Sequence, residues 1–430
     1  MVPEKSRLIV IIENVIIYIL HRNMKMKVIL DADVMADFYR DNRTGIFRVA
    51  FELFKRLSNS KEIELYYSHL SLFNLDTTTE ELNLFFYQNS IQIKGSNERL
   101  KRKFLPFRKE KLFKKIYEKL GIFNYKNNYK EEVFRFSQIF HSFYYPINKK
   151  INSYSNLKKI VTVHDLIPIL FPNLHFTSSL IENVIKSVEN DGYVICVSEN
   201  TKRDLLTYAP HIKPDRVFVS LLAASPEIFY VCKDKSAFEV IQKKYKLPEK
   251  YFLCLGTLEP RKNVDHIIRS FLKMVKENEV YDLSLVLVGS MGWDYDKIFK
   301  EYENAHEFKD KIIITGRVPD EELASLYSNA HSFYYMSLYE GFGLPPLEAM
   351  QCGLATVTSN TSSLPEVVGD SGIMLDPTDE TALIQTMKEL YYDEELRKSY
   401  ANKGLERSKN FSWEKCVKEH IEIYKRIVNS

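Results

Sequence analysis

The sequence predicts an α/β protein of two Rossmann-like domains, each built on a parallel sheet, with a ligand cleft between the carboxyl edges of the sheets. The 430 residues suffice for two domains with separate cores. The second half of the chain alternates strand and helix patterns strictly, and ten of the 14 glycines lie there, mostly at strand ends. Strict alternation is typical of a doubly wound sheet, and the first half repeats it less regularly.

Six apolar runs in the second half predict six parallel strands, each followed by a helix or a turn. They are Tyr251–Leu255, Ser284–Val288, Lys311–Thr315, Ser332–Met336, Ala355–Thr358 and Gly372–Leu375. The helix after the first strand has an apolar face with the 3.6-residue period, formed by Val264, Ile267, Ile268, Phe271, Leu272 and Val275.

The first half predicts strands at Lys27–Leu30, Lys159–Val163 and Tyr193–Val197. Between the first two, Arg43-Thr44-Gly45 precedes a helix whose apolar face comprises Ile46, Val49, Ala50, Leu53 and Phe54. We expect a first domain over 24–225, a second over 226–410 and a final helix over 411–430. Residues 1–23 are interpreted as a loosely docked extension or an upstream start-site artefact, since Leu8–Leu20 is too short for a membrane span.

Composition excludes several classes of protein. A net charge of +3 gives no strong field for nucleic acid. Five scattered cysteines, without CxxC spacing, argue against a disulfide framework and a zinc site, and they favour a reducing cytoplasm.

The segment 98–120 interleaves ten basic with eight apolar residues. It is either a peripheral contact with the inner face of an anionic membrane or a solvated helical face.

The most informative motif is Glu340-Gly341-Phe342-Gly343-Leu344-Pro345-Pro346-Leu347-Glu348, which joins a buried strand to a helix. Prolines suit the first turn of that helix, and Gly353 ends it. The glycines are expected to let a ligand approach the backbone, and the helix N-terminus favours phosphate. Both carboxylates suit sugar hydroxyls. Alternatively, Glu348 is a first-turn residue that complements the helix dipole.

A second motif, Gly256-Thr257-Leu258-Glu259-Pro260-Arg261-Lys262-Asn263, follows the first strand of the second domain. It presents two adjacent cations beside a helix N-terminus, which suits a diphosphate that gains charge as a leaving group. The competing interpretation is a helix-entry loop with an ordinary Glu259–Arg261 surface pair.

His164, followed by Asp165, ends a strand of the first domain and is the third candidate, for contact with a sugar hydroxyl or for charge stabilisation. Taken alone, His164 fits the description of a packed structural histidine better. Two DxD patterns, Asp31-Ala32-Asp33 and Asp294-Tyr295-Asp296, match a metal-binding motif of many glycosyltransferases, but they are short enough to occur by chance. We predict a site without a metal ion, because no cluster has metal-ligand spacing.

Together these segments resemble glycosyltransferase family 4, the retaining transferases of GT-B fold, from about Met26 onward. The segment Thr44-Gly45-Ile46, with the following Arg48, resembles the mannosyltransferase-like branch of this family. Further segments that match are Val163 to Pro168, Ser198 to Asp204, Thr315 to Pro319 and Phe411 to Glu414. Many relatives have a second glycine after Gly45, where this chain has Ile46 and Phe47.

The resemblance implies a role for each candidate residue. Glu340 would bind the hydroxyls of the donor sugar and Glu348 those of the ribose, while Arg261 and Lys262 would hold the diphosphate. His164 would contact the transferred sugar. Backbone groups of Gly341, Phe342, Gly343, Leu344 and Gly256 would contact sugar and phosphate, those around Val318 the base, and Gly45 would open a loop toward the reaction centre.

The implied substrate is a nucleotide-diphosphate sugar, GDP-mannose first or a UDP-sugar, and no cofactor is expected. The acceptor would be a saccharide or a lipid-linked saccharide in polysaccharide or glycoconjugate synthesis. An epimerase would need a pair of general bases, for which the sequence offers no convincing candidates. The remaining alternative is a non-catalytic nucleotide-sugar-binding partner of another transferase.

Overall fold

The computed structural model describes residues 25–38, 45–70, 77–101, 125–174, 178–188 and 190–430. The predictions for residues 1–23 and for most of 98–120 therefore lie outside the described residues. The strands are β1 (Met26–Asp31), β2 (Ile63–Ser68), β3 (Lys94–Gly95), β4 (Asn97–Lys101), β5 (Tyr125–Tyr129), β6 (Ile139–Ser142), β7 (Lys158–Val163), β8 (Tyr193–Cys196), β9 (Val217–Val219), β10 (Lys250–Leu255), β11 (Leu283–Val288), β12 (Ile312–Gly316), β13 (Ser332–Tyr335), β14 (Thr356–Ser359) and β15 (Ile373–Leu375).

The helices follow the strands in alternation through most of the described chain. They are α1 (Asp33–Phe38), α2 (Gly45–Ser58), α3 (Thr79–Gln88), α4 (Glu131–Phe136), α5 (Ile167–Leu170), α6 (Ser179–Lys186), α7 (Glu199–Tyr208), α8 (Lys235–Tyr245), α9 (Val264–Glu277), α10 (Asp296–Glu303), α11 (Asp320–Ser328), α12 (Leu344–Gln351), α13 (Leu364–Val368), α14 (Glu380–Tyr392), α15 (Glu394–Ser408) and α16 (Trp413–Val428). Among them, no helix is long and apolar enough to cross a membrane.

Two parallel sheets confirm the predicted fold class. One has seven strands in the order β3-β2-β1-β6-β7-β8-β9, and the other has six in the order β12-β11-β10-β13-β14-β15. All six predicted strands of the second half are present, with ends within two residues of the prediction. In the first half the predicted strands correspond to β1, β7 and β8, whereas β2 to β6 and β9 were not predicted. Residues 98–101 belong to β4, which pairs antiparallel with β5, so the predicted helical face does not begin there.

The chain divides into two compact units: Met1–Val161, Lys186–Tyr193 and His420–Ser430 form the first, Thr162–Ile185 and Val194–Glu419 the second. The predicted boundaries at 225 and 410 stay predictions. The final helix is present, and its residues from His420 on belong to the first unit. There the Tyr424 hydroxyl lies 2.6 Å from Nδ1 of His141, both buried. This agrees with the predicted return of the helix to the first domain.

Each unit has an aromatic and aliphatic core. In the first, the ring of Phe54 on α2 stacks on Phe86 at 5.5 Å and meets Phe143 edge-on at 5.8 Å. In the second, the predicted apolar face of α9 packs on β10 and β11, with Ile267, Ile268 and Phe271 fully buried. Each such side chain stabilises the fold by about 1.5–3 kcal/mol. These cores fix the strand ends from which the candidate site is built.

Candidate active site

Strands β10 and β13 are neighbours in the six-stranded sheet, so the loops at their carboxyl ends meet. After β10 the chain forms a 3-10 turn at Pro260–Lys262 and reaches Asn263, whose φ of 57° is left-handed. The Asn263 amide donates to the carbonyl oxygens of Met336, at 3.1 Å, and Pro377, at 2.8 Å. This side chain therefore ties the cationic loop to the end of β13.

Arg261 and Lys262 both contact Glu340, as the shared sheet edge requires. Glu340 Oε1 lies 2.8 Å from Nη1 of Arg261 and 2.6 Å from Nζ of Lys262. Arg261 also donates to Glu259 Oε1 at 2.7 Å and to the carbonyl oxygen of Tyr339 at 2.7 Å. With Arg261 and Glu259 only 16% and 15% exposed, the interpretation as an ordinary surface pair is wrong.

Charge balance in this cluster is set by burial and by the two cations. Burial opposes the charge of Glu340, but Arg261 and then Lys262 outweigh it and lower the pKa of the carboxyl to about 2. Burial and the adjacent Arg261 lower the pKa of Lys262. Arg261 has a second acidic partner in Glu259, whereas Lys262 forms an ion pair only with Glu340 among the described residues. Another negative group would therefore stabilise the charged form of Lys262 more. A diphosphate would supply one.

The anchoring of the Glu340 loop comes from hydroxyl groups. Ser363 Oγ lies within hydrogen-bond distance of the carbonyl oxygens of Glu340 and Phe342, and Ser362 Oγ accepts from the Glu340 amide at 2.9 Å. The ring of Phe342 packs edge-on against Phe411 at 6.1 Å. The loop is thus held in place by its own protein contacts.

Glu348 is buried, and the Tyr327 hydroxyl donates to its Oε2 at 3.1 Å. The helix begins at Leu344, with Gly343 as its N-cap at φ 115°, and it ends just before Gly353, at φ 73°. The helix bounds were predicted correctly. The first-turn position for Glu348 is wrong, because it is the fifth residue of α12 and no acidic residue occupies the first turn. The dipole interpretation therefore does not apply.

Packing within the protein explains Gly341. A Cβ atom there would lie 2.0 Å from the carbonyl oxygen of His164 and 3.0 Å from Cβ of Asp165, so no other residue fits. The Thr201 hydroxyl approaches the same His164 oxygen at 3.3 Å. The structure thus brings the His164 backbone to the start of the Glu340 loop, both within the second unit.

The remaining candidates lie at sheet edges or helix starts. Gly256 follows β10, and buried Val318 follows β12. Gly45 is exposed and begins α2, in the first unit. The ligand roles of these residues and of His164 stay predictions.

Sequence reasoning missed several residues that surround Glu340. The Tyr335 hydroxyl donates to Glu340 Oε1 at 2.9 Å, and the Ser337 hydroxyl lies 2.6 Å from it. Tyr339 donates to Asp204 Oδ2 at 2.7 Å, which links the loop to α7. Tyr335 was hidden in an aromatic run interpreted as core. Its position as the last residue of a strand beside the motif was the available signal.

Neither DxD pattern forms a cluster with metal-ligand geometry. Asp33 Oδ1 lies 2.6 Å from Nδ1 of His69, and burial followed by Asp33 raises the pKa of Asp31. Asp296 begins α10, an exposed helix start. Within the described residues, no group of three or more histidine, cysteine or acidic side chains could hold a metal ion. All five cysteines are free thiols.

The chain is similar in sequence to known glycosyltransferases. The sequence model of the family described as Glycosyl transferases group 1 matches residues 237–407. Over 395 residues the chain is 31% identical to O-antigen chain mannosyltransferase B of Escherichia coli, a match that covers 89% of this chain and 96% of that protein. The resemblance to the mannosyltransferase-like branch is therefore confirmed.

Solved structures share the fold at lower identity. Sucrose-phosphate synthase from Thermosynechococcus elongatus superposes with a TM-score of 0.68 at 18% identity, covering 94% of this chain and 99% of that one. Alr3699/HepE from Anabaena, in complex with UDP and glucose, gives 0.66 at 13% identity, covering 93% and 100%. These likenesses confirm the predicted GT-B architecture.

Proposed function

Because this chain belongs to the group 1 glycosyl transferases, we propose that it transfers mannose from GDP-mannose to a saccharide or lipid-linked saccharide during polysaccharide synthesis. The sequence likeness to an O-antigen chain mannosyltransferase over nearly the whole chain supports this substrate class. A UDP-sugar is the second donor to test. The observation that carries the catalytic assignment is the buried contact of Arg261 and Lys262 with Glu340.

The cluster is suited to departure of a nucleoside diphosphate. As the bond from the sugar to the diphosphate breaks, negative charge grows on the leaving oxygen, and buried cations stabilise it more than water does. Burial and Arg261 lower the pKa of Lys262, and the diphosphate would be a second counter-ion for it beside Glu340. Glu340 then accepts hydrogen bonds from sugar hydroxyls, and Glu348 from the ribose. His164 lies beside the transferred sugar.

This assignment places two cations where many transferases use a metal ion, so we propose that turnover needs no divalent metal. Unchanged transfer in excess EDTA is the expected result. Loss of transfer that Mg²⁺ or Mn²⁺ restores would overturn this part of the proposal.

We also place the protein in the cytoplasm, with the basic segment 98–120 as a peripheral contact with the inner face of the membrane. Its ten lysine and arginine residues support this placement. Sedimentation with phosphatidylglycerol vesicles, but not with phosphatidylcholine vesicles, is the expected result. Equal sedimentation with both would contradict it.

The test of the function is sugar transfer from a panel of nucleotide sugars to saccharide acceptors. Lys262→Ala and Glu340→Ala are each expected to lower transfer by about 100-fold or more, since each removes a charge aimed at the donor. Lys409→Ala, which removes an exposed lysine of the same unit, is the matched control and should keep full activity.

Tight nucleotide binding without turnover for any donor would instead support the non-catalytic alternative. That alternative is not favoured, because Glu340, Lys262 and His164 are all present and the first two are already paired. Near-normal turnover of either alanine variant would contradict the assignment of the active site.

A further inference from the structure

Tyr335 is the last residue of β13, and its side chain reaches the cluster formed by Lys262 and Glu340. It is 2% exposed. Its hydroxyl accepts a hydrogen bond from Nζ of Lys262 at 2.5 Å and donates to Glu340 Oε1 at 2.9 Å. Lys262 and Glu340 are themselves 2.6 Å apart. The three polar groups therefore form a closed triangle in a buried site.

The protons in this triangle have fixed directions. An ammonium group only donates and a carboxylate only accepts, so the single hydroxyl hydrogen of Tyr335 points to Glu340. Burial, followed by the charge of Glu340, raises the pKa of Tyr335 well above its ordinary value. The hydroxyl consequently stays protonated and remains a donor to the carboxylate.

The two oxygens of Glu340 are used unequally. Oε1 has three hydrogen-bond donors within 2.9 Å, from Lys262, Tyr335 and Ser337, and Nη1 of Arg261 lies 2.8 Å away as an ion-pair partner. That is more than the two lone pairs of one oxygen accept together. No residue in the described part of the chain donates to Oε2. One donor can therefore leave Oε1 without freeing the carboxylate, while Oε2 is available to a ligand.

From this geometry we propose that Tyr335 is a positioning residue, which keeps the Glu340 carboxylate oriented while Lys262 turns toward the diphosphate of the donor. The inference rests on the proposed function. Lys262 has three N–H groups, so it can bind phosphate oxygen and still donate to Tyr335. Tyr335 and Ser337, which are neutral, then hold Oε1 in place, and Oε2 meets the sugar hydroxyls.

If the role of Tyr335 were purely structural, it would depend on the aromatic ring and not on the hydroxyl. Its ring stacks on Phe333 at 6.1 Å and lies 4.9 Å from the Lys262 ammonium. Phenylalanine would keep both ring contacts. The variant Tyr335→Phe therefore removes the hydroxyl and little else.

The same strand offers a matched control in Tyr334. It is fully buried, and its hydroxyl accepts from Ser332 Oγ at 3.1 Å. Tyr334→Phe loses one hydroxyl at equal burial on the core-facing side of the strand, without touching the Glu340 cluster.

The experiment measures steady-state transfer from GDP-mannose and the affinity for free GDP, which has the ribose and the diphosphate but not the mannose, in full-length proteins. A hydrogen bond to a charged group corresponds to roughly 10-fold to 100-fold in rate. Tyr335→Phe should lower kcat by that factor and change the Kd for GDP by less than about threefold. Tyr334→Phe should keep both values. If Tyr335→Phe folds poorly, Ser337→Ala provides a second test, because it removes the other neutral donor. It should likewise lower kcat and leave the Kd for GDP nearly unchanged.

Three outcomes distinguish failure of this inference from failure of the proposed function. Full transfer by Tyr335→Phe overturns the positioning role and leaves the function intact. Parallel losses of kcat, GDP affinity and Tm assign Tyr335 a structural role and also overturn the inference. Absence of transfer by the wild-type protein with every donor overturns the proposed function and the inference together.

Discussion

Replacement of Glu340 by glutamine tests the charge balance of the site without any substrate. The pKa of Glu340 falls from 4.5 to about 2 in the folded protein, which corresponds to roughly 3 kcal/mol in favour of the charged carboxylate. Removal of one partner of a buried ion pair costs about 3–5 kcal/mol in other proteins, so the magnitude is consistent. Glu340→Gln should therefore unfold at lower urea concentration at pH 7.

The pH dependence gives this prediction its distinctive sign. Since the pKa is lower in the folded than in the unfolded chain, the stabilisation is complete above about pH 4.5 and is lost as the pH falls toward about 2. The stability difference between wild type and Glu340→Gln should narrow over the same range. The neutral glutamine has no titration there.

Tryptophan fluorescence is a suitable assay, because Trp293 and Trp413, the two tryptophans of the chain, both lie in the unit that contains Glu340. Glu395→Gln removes a carboxylate whose side chain is 87% exposed and serves as control, with an expected change below about 0.5 kcal/mol. A stability difference that stays constant from pH 7 to pH 3, or is absent at pH 7, would refute the reasoning.

Two further predictions concern the motif and the cationic loop. Gly341→Ala should lower the free energy of unfolding by at least about 2 kcal/mol, because the new Cβ would lie 2.0 Å from the His164 carbonyl oxygen. Gly316→Ala should lower it by only about 1 kcal/mol. Its φ of 70° is left-handed, but no described atom lies within 4 Å of the new Cβ. Urea unfolding of both variants checks the order, and the reverse order would contradict it. As the pH rises, kcat/KM should fall at a pH below 10.5, the ordinary lysine pKa, because burial and Arg261 lower the pKa of Lys262. In Lys262→Arg this fall should occur at higher pH. A pH profile identical in the two proteins would assign the fall to another group.

The second half of the fold could be predicted from the sequence because parallel strands buried on both faces are continuous apolar runs. Leu285–Val288 is such a run, and every residue of β11 is buried. The first half was harder, since β2 includes Glu64 and Ser68, and β6 includes His141 and Ser142. Their strand state depends on partners distant in sequence, which local patterns do not report.

The candidate site divides in the same way. Arg261, Lys262 and Glu340 could be recognised by their motifs, but their mutual contact spans 78 residues of sequence and depends on the adjacency of β10 and β13. The requirement for Gly341 was likewise attributed to a ligand, because the approach of the His164 carbonyl is a tertiary contact.

Under the proposed function, the pairing of Arg261 and Lys262 with Glu340 would make donor binding an exchange of counter-ions. Both cations are already neutralised inside the protein, so they present a weak field to passing anions. Inorganic phosphate, which brings charge alone, must compete with a carboxylate that is covalently part of the site. A nucleotide sugar would bring charge for Lys262 together with hydroxyl groups for the Glu340 carboxylate, which stays in place. The internal ion pair would therefore favour nucleotide sugars over small anions such as inorganic phosphate.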